Sequence, residues 1–485
     1  MKKLIDIIDK VPVKKILGNI DINIDSIQID SRKIKNNDLF VALIGTNSDG
    51  HIFIKGAIEN GAKAIVCEKI PSEIDNTVTF LVVDDSAFVL GLLCANYFEN
   101  PQKKLKIVGV TGTNGKTTIA TTLYRLALKL GYKAGLISTV IYCVNEKEYE
   151  STHTTPDPLR IYSLLSEMVK NGCSYCFMEV SSHSLVQKRI AGLDFTGAIF
   201  TNITHDHLDY HKTFDEYIKA KKLLFDNLSS KAFSIINKDD KNGKIMIQNT
   251  KSLVYWYSVT SVADFKGKII EEHIDGMLIE INKTQLWTKF IGKFNIYNLL
   301  AIYAAAIKLG FDEDKVIQQL SILNPVRGRF EYVKSKNNIL AIIDYAHTPD
   351  ALVNVLETIR ELIKSKEQII TVVGAGGNRD KLKRPKMARV SVDLSDKVVL
   401  TSDNPRFEDP ADILNDMIAG LNDNDKGKYL IIPDRREAIK TAAMLAKPGD
   451  IILLAGKGHE TYQEIKGVKH HFDDKEVISE IFNNM

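Results

Sequence analysis

Short apolar runs alternate with helix-period stretches along almost the whole chain. Before residue 100 the runs are Leu39-Phe40-Val41-Ala42-Leu43-Ile44, Ala64-Ile65-Val66-Cys67 and Phe80-Leu81-Val82-Val83. From Leu105 the alternation is sustained: residues 105–110, 134–137, 175–180, 197–202 and 232–237 read as strands. Strands separated by helices predict a mostly parallel sheet covered by helices. Residues 251–292 break the rhythm, being β-prone and poor in helix signal, which predicts an antiparallel excursion. Beyond Asn324-Pro325 a second alternating series runs through 340–344, 369–374, 397–401 and 450–455.

These breaks, with the linker-like Asn100-Pro101-Gln102-Lys103-Lys104, divide the chain into three α/β domains. The expected bounds are 1–101, 102–324 with a central, mostly parallel sheet, and 325–485 with a Rossmann-like arrangement. A length of 485 residues agrees, being too long for one core. Hydrophobic content of 44% and charged content of 26% are those of an ordinary soluble globular protein. The net charge of +3 gives no argument for a nucleic-acid or membrane partner. Asp6 and Asp9 interrupt what would be a signal-peptide core, and no stretch of about 18 apolar residues exists to span a bilayer. The five cysteines are an odd number in a large chain, and Cys173-Ser174-Tyr175-Cys176 lacks a second pair for zinc, so they read as structural thiols. A cytoplasmic location is expected.

The strongest chemical signal is Thr111-Gly112-Thr113-Asn114-Gly115-Lys116-Thr117-Thr118. An apolar strand precedes it and a helical stretch from Ile119 to Leu130 follows, the layout of a nucleoside triphosphate site. Backbone N–H groups of the loop would cradle phosphate oxygens, Lys116 would reach the outer phosphates, and Thr117 would hold Mg²⁺. The first glycine of the general phosphate-loop pattern falls at Val110, so this is a variant of that loop. ATP is the expected ligand. In open α/β sheets ligands lie beyond the C-terminal strand ends, which directs attention to Glu179, Asn202, Asp344, Asp403 and Gly456. Glu179-Val180-Ser181-Ser182-His183-Ser184 and the histidines 205, 207 and 211 follow neighbouring strands, a grouping suited to Mg²⁺.

The segments Gly112–Thr118, Glu179-Val180-Ser181-Ser182-His183 and Asp206-His207-Leu208-Asp209-Tyr210-His211 resemble the Mur ligase family, nearest its tripeptide-synthetase branch. The resemblance runs through all three inferred domains. It implies an ATP-dependent ligase of peptidoglycan precursor synthesis. Such enzymes convert the D-Glu carboxylate of UDP-MurNAc-L-Ala-D-Glu to an acyl phosphate, which the amine of a diamino acid then attacks. The first domain would bind UDP-MurNAc, the central one ATP, and the last the incoming amino acid. By family position Gly112, Thr113, Asn114, Gly115, Lys116, Thr117 and Thr118 bind ATP, with Asn298, Arg329 and His347 meeting it from elsewhere. Thr117 and Glu179 serve the first of two Mg²⁺ ions and His207 the second. Tyr217-Ile218-Lys219-Ala220-Lys221-Lys222-Leu223-Leu224-Phe225 matches the stretch whose lysine is carbamylated by CO₂, which nominates Lys221 as a carbamate metal ligand. Without the family, Lys221 reads as a solvated helix residue. Lys116, Lys221 and His207 form the implied catalytic set.

For the nucleotide-sugar peptide the resemblance implies Ser31, within Ile29-Asp30-Ser31-Arg32, and the segment Asn47-Ser48-Asp49-Gly50. It also implies Thr154, Thr155, Ser181, Gln187 and Arg189; His153 stands where Asn is usual. Asp403-Asn404-Pro405-Arg406 matches the motif of the meso-diaminopimelate-adding subgroup, and lysine-adding relatives lack that Arg. Arg406, helped by Arg379, would pair with the second carboxylate of meso-diaminopimelate and be left unpaired by lysine, a mode of selection that can reach ~10⁴-fold. Gly456 and Glu460, in Gly456-Lys457-Gly458-His459-Glu460, would grip the distal amino-acid centre. Asn378 stands where Asp is common and Leu382 where Gly is common, so lanthionine stays open as acceptor. A lysine-adding ligase, a folylpolyglutamate-synthase-like ligase and a P-loop ATPase switch are the alternatives. The domain before the phosphate loop and the Asp403–Arg406 segment count against the folate ligase. The family default is a monomer acting on small molecules, without nucleic acid or membrane.

Overall fold

A computed structural model of the chain describes residues 1–45, 48–72, 75–363 and 367–485. Its three large sheets follow one another along the sequence. The first has five strands in the order Val13–Leu17, Thr79–Val83, Ala62–Cys67, Asp38–Val41 and Ile27–Gln28, parallel except at Val13–Leu17. The central sheet has eleven strands. Seven are mutually parallel, in the order Ala134–Ile137, Tyr175–Glu179, Lys106–Thr111, Phe195–Phe200, Phe233–Asn237, Leu253–Ser258 and Phe265–His273. The third sheet has six strands, with Leu340–Asp344, Ile451–Ala455, Ile369–Val373, Lys397–Leu400 and Tyr429–Ile431 parallel and Glu331–Lys334 antiparallel at one edge.

The antiparallel excursion is smaller than its composition implied. Leu253–Ser258 runs parallel to Phe233–Asn237, because the connection between them passes over the sheet through the short helix Gly243–Met246. β-propensity reports an extended backbone and not its direction, which the connection sets. Only Gly276–Ile281 and Thr284–Thr288 turn back antiparallel, and a second antiparallel pair, Ile141–Val144 and Lys147–Glu150, closes the opposite edge.

The central strands are buried along their length, as their near-continuous apolar runs require of a parallel sheet covered on both faces. One face packs on the helices Lys116–Lys129 and Lys293–Lys308. The other shares a single hydrophobic cluster with the first domain, running from Leu4, Leu39 and Leu93 to Ile107, Met178 and Phe225. Gly91 and Ala191 meet across this seam so closely that a Cβ on Gly91 would lie 2.3 Å from the Ala191 carbonyl oxygen. The third domain has a core on each face of its sheet, one of them reached by Ile291 and Phe294 of the central domain. All five cysteines are buried and free, as structural thiols should be.

Lys106–Thr111 lies between Tyr175–Glu179 and Phe195–Phe200. The chain leaves it to one side through Ala134–Ile137 and returns across it to Phe195–Phe200, so a crevice opens at the shared C-terminal edge. The third sheet turns its own C-terminal strand ends toward the same space. Behind them Arg435 and Asp474, both fully buried, form a forked pair with bonds of 2.8 and 2.6 Å, and Arg435 Nη2 also donates to the Ala455 carbonyl at 3.0 Å. Asp474→Ala would leave the guanidinium buried without its counter-charge. Its expected effect is a loss of about 3–5 kcal/mol of unfolding free energy, measured by urea denaturation of the third domain's transition.

Candidate active site

The phosphate loop is shaped by two glycines. Gly112 (φ 150°) and Gly115 (φ 89°) occupy backbone conformations that side chains disfavour. A Cβ at Gly112 would lie 1.8 Å from Thr201 Oγ1, and one at Gly115 would lie 2.5 Å from Asn298 Oδ1. The neighbouring strand end holds the loop: Thr113 N donates to the Asn202 carbonyl (2.8 Å), Asn114 N to Asn202 Oδ1 (3.0 Å), and Thr201 Oγ1 to the Asn114 carbonyl (2.6 Å). The helix that follows, Lys116–Lys129, has no side-chain cap. Helices beginning at Pro158, Phe214 and Pro349 are capped by Asp157, Thr213 and Thr348. An uncapped helix start with positive partial charge is a seat for an anion.

Two lysines converge on this loop. Lys116 Nζ donates to the carbonyls of Gly112 (2.9 Å) and Thr113 (2.8 Å), and Lys221 Nζ donates to the Gly112 carbonyl at 2.8 Å. Lys221 is 1% exposed. Burial, and then the charge of Lys116, holds its pKa well below the usual lysine value. A signal for this burial was present in the sequence: Tyr217, Ala220, Lys221, Leu224 and Phe225 share one face of the helix Phe214–Asp226, and all are buried. Glu179, fully buried, accepts from Thr139 N (2.8 Å) and Thr139 Oγ1 (3.2 Å). Of the histidines 205, 207 and 211, only His207 lines the cleft. His205 stacks on Phe214 and His211 bonds Ser182 Oγ at 2.9 Å. His207 Nε2 lies 3.3 Å from Asp206 Oδ2, and burial drives its pKa down, favouring a neutral imidazole. Among the described residues no three His, Cys, Asp or Glu side chains gather as a metal site.

The third domain closes over the loop. Arg329 Nη2 donates to Thr117 Oγ1 at 3.2 Å, its guanidinium lies 4.5 Å over the Tyr345 ring, and its Nε is buried without a partner. Asp350 Oδ2 accepts from Asn114 Nδ2 (3.1 Å) and Thr204 Oγ1 (3.2 Å). His347 Nδ1 lies 2.8 Å from the Tyr345 carbonyl, and burial lowers its pKa to about 4. Asn298 is held by Asn295.

The cleft, about 1270 Å³, continues from the loop to Arg379 and Arg406 in the third domain. Arg406 Nη1 donates to the Gly377 carbonyl at 2.8 Å. Asp403, Asn404 and Glu460 converge on Lys457, fully buried, at 3.4, 3.2 and 3.4 Å. Asn404 Nδ2 also donates to Glu460 Oε2 at 2.7 Å. Gly456 lines the cleft, whereas Pro405 does not; its carbonyl packs on Gly377. On the remaining side lie Thr154, Thr155, Ser181 and Arg189. Arg189 Nη1 donates to the Thr155 carbonyl (2.8 Å) and its Nε to Gln187 Oε1 (2.9 Å), so Gln187 stands behind Arg189 and outside the lining. Ser31 opens the turn Ser31–Lys33 of the first domain, also outside it. Asn47 lies outside the described residues. Lys383, Lys457 and Asp350 belong to the site but carried no assignment from sequence. Asp350 and Lys383 stand in the first turn of a helix and Lys457 in a loop, positions where a charged residue is ordinarily solvated.

Three segments match family descriptions: residues 23–97 "Mur ligase family, catalytic domain", 110–306 "Mur ligase middle domain" and 328–458 "Mur ligase, glutamate ligase domain". A Bacteroides fragilis protein named UDP-N-acetylmuramoyl-L-alanyl-D-glutamate--2,6-diaminopimelate ligase is 56% identical over 99% of both chains. A solved structure of a ligase with that name matches with a TM-score of 0.68 and 32% identity, covering 96% of each chain. The fold is also that of a Thermotoga maritima MurF ligase in complex with ADP, with a TM-score of 0.62, 20% identity and 95% and 97% coverage. Gly115→Ala would place a methyl group against Asn298 at a strained φ. It is expected to slow phosphate release from ATP about 10²-fold with little change in melting temperature, measured by a phosphate-coupled assay.

Proposed function

The chain belongs to the Mur ligase family, and from that premise we propose that it joins meso-2,6-diaminopimelate to the D-Glu carboxylate of UDP-MurNAc-L-Ala-D-Glu, driven by ATP. The observation that supports this most directly is the single cleft with a phosphate loop at one end and Arg379 and Arg406 at the other. ATP-dependent ligation needs the nucleotide, an acceptor carboxylate and a nucleophilic amine in one water-poor space, and a cleft of this size suits them.

In the first step a D-Glu carboxylate oxygen attacks the γ-phosphorus of ATP, forming the acyl phosphate and releasing ADP. Both reactants are anions. Lys116 and the uncapped helix start oppose the charge on the transferring phosphoryl group, and Arg329, beside Thr117, approaches from the third domain. In the second step the amine of diaminopimelate attacks the acyl carbon. The tetrahedral adduct loses inorganic phosphate and a proton, leaving the amide. The neutral His347, its Nδ1 on the Tyr345 carbonyl, is suited to interact with that proton. Asp403 and Glu460, tied by Lys457, offer carboxylates to the distal ammonium. Arg406 and Arg379 offer guanidiniums to the distal carboxylate.

The donors near the loop fit Mg²⁺, a hard cation that prefers oxygen. Thr117, Glu179 and Lys221 as a carbamate would hold it with phosphate oxygens, and His207 a second ion. Bound there, Mg²⁺ would supply charge neutralisation between the two anionic reactants. Lys221 fits the carbamate reading because only a neutral amine adds CO₂, and its burial favours the neutral form. Thr154, Thr155, Ser181 and Arg189 would grip the peptide and diphosphate, with Ser31 serving the uridine end. No helix among the described residues is long and apolar enough to cross a membrane. The reading carries with it a cytoplasmic location and action as a monomer on small molecules.

The test is phosphate release with UDP-MurNAc-L-Ala-D-Glu and ATP, offering meso-diaminopimelate, lysine and lanthionine separately. Release with diaminopimelate and not with lysine is expected. Preference for lysine would overturn the specificity, and release without any acceptor would overturn the ligase. Lys116→Ala should abolish release with every acceptor; an active variant would remove Lys116 from the phosphoryl-transfer step.

A further inference from the structure

Arg384 is fully buried, yet it is not part of the cleft-facing chemistry. It sits behind two loops that carry the arginines of the acceptor pocket, residues 374–382 with Arg379 and 401–409 with Arg406. Its Nη1 and Nη2 grip Glu408 Oε2 and Oε1 in a fork, both at 2.9 Å. Nη1 also reaches Asp416 Oδ2 (2.8 Å) and Nη2 the Gly376 carbonyl (3.2 Å). Glu408 Oε1 in turn accepts from the backbone N–H of Asn378, and Asn378 Oδ1 accepts from the N–H of Phe407 at 3.1 Å. A further bond runs from Gly377 N to the Asn404 carbonyl at 2.9 Å. The two loops are therefore stitched in both directions through one carboxylate.

The stitching bears on the two cleft arginines through Gly376. A Cβ built there would lie 3.0 Å from Arg406 Nη1 and 3.8 Å from Arg379 Cγ, so this bare residue lies against both side chains. Arg406 is further tied to the first loop by its bond to the Gly377 carbonyl. Moving one loop against the other changes the separation of the guanidiniums. Two guanidiniums select a carboxylate only when their spacing suits it.

We infer that Glu408 and Arg384 are positioning residues for acceptor specificity, fixing the spacing of Arg379 and Arg406 that receives the distal carboxylate of the incoming diamino acid. This rests on the reading of those two arginines given above. The role is distinct from binding, since neither Glu408 nor Arg384 lines the cleft. Arg384 holds the Glu408 carboxyl down to about 2, so the pair stays ionised at any pH near neutral. The same geometry accounts for Asn378: its function is an oxygen that accepts from Phe407 N in a left-handed conformation (φ 52°), a role that Asn fills without adding a second carboxylate beside Glu408.

The test is Glu408→Gln in the full-length enzyme. The KM for meso-diaminopimelate should rise at least tenfold, with kcat within threefold and the KM values for ATP and the nucleotide substrate unchanged. Lysine should remain unused, so the loss reads as a rise in the diaminopimelate KM alone. Hydrogen exchange of the amides of Asn378 and Phe407 reads the stitching without any substrate and should accelerate. Faster exchange with an unchanged KM for diaminopimelate would overturn the positioning role. An equal rise in all three KM values would reduce the pair to general support of the fold and overturn it as well. If Glu408→Gln fails to fold, Asn378→Gly removes the rim stitch at a φ that glycine accepts; it should raise the diaminopimelate KM about threefold, and no rise would overturn the proposal. Wild-type enzyme without preference for diaminopimelate over lysine would instead overturn the reading of Arg379 and Arg406, and is distinguishable because the exchange result would stand.

Discussion

The carbonyl of Gly112 accepts from both Lys116 and Lys221, and the rest of the site is arranged around that convergence. Two amines drawn to one backbone oxygen, beside a helix start with no side-chain cap, make a strongly electropositive seat. Such a seat is costly to bury unless an anion or a proton loss relieves it. Lys116 remains half-exposed at the cleft, whereas Lys221 is closed off by Tyr217 and the helix face around it. The loop's shape follows from the same requirement. Only residues without a Cβ let the backbone pass Thr201 and Asn298 this closely. Bulk charge says nothing of this arrangement: within a net charge of +3 over 485 residues, Lys116, Lys221, Arg329, Arg379 and Arg406 line one cleft together with carboxylates such as Glu179, Asp206, Asp350, Asp403 and Glu460.

The two halves of the molecule are joined in different ways. The first and central domains share one apolar cluster, which makes them a packed unit. The third domain has two cores, one of which takes in Ile291 and Phe294 from the central domain, and it meets the phosphate loop through polar contacts, Arg329 on Thr117 and Asp350 on Asn114 and Thr204. Polar interfaces between domains resemble transient ones and separate more readily than a continuous core. The acceptor pocket therefore rides on the part of the molecule best able to approach and leave the nucleotide. Its internal geometry has to be kept by bonds within that domain. The buried Arg435–Asp474 pair and the fork of buried Arg384 on half-buried Glu408 provide them, one behind the strand end at Ala455 and the other behind the loops of Arg379 and Arg406.

Periodicity and local motifs made much of this legible before any coordinates. The three α/β segments, the phosphate loop on its strand and helix, and the strand ends at Glu179, Asn202, Asp344, Asp403 and Gly456 were all readable, and all five of those residues line one cleft. They were readable because each depends on short-range rules: alternation for strands, glycine for positive φ, and the C-terminal strand edge for ligands. Strand direction in 251–292 was not readable, since composition reports extension without the crossover that decides it.

Partnership was the other thing hidden. Helix periodicity puts Lys221 on the apolar face and Lys219 off it, but that the Lys221 amine meets the Gly112 carbonyl depends on the tertiary packing. That Asp403 and Asn404 turn to Lys457, that Gln187 backs Arg189, and that Glu408 binds Arg384 all involve residues brought together across loops of different strands. The sequence by itself determined the kinds of group available, the elements that carry them, and the edge of each sheet where they emerge. Only the tertiary structure decided which charges face each other and which face the cleft. Charge pairing depends on distances of a few ångströms between segments far apart in the chain, and no local pattern encodes those distances.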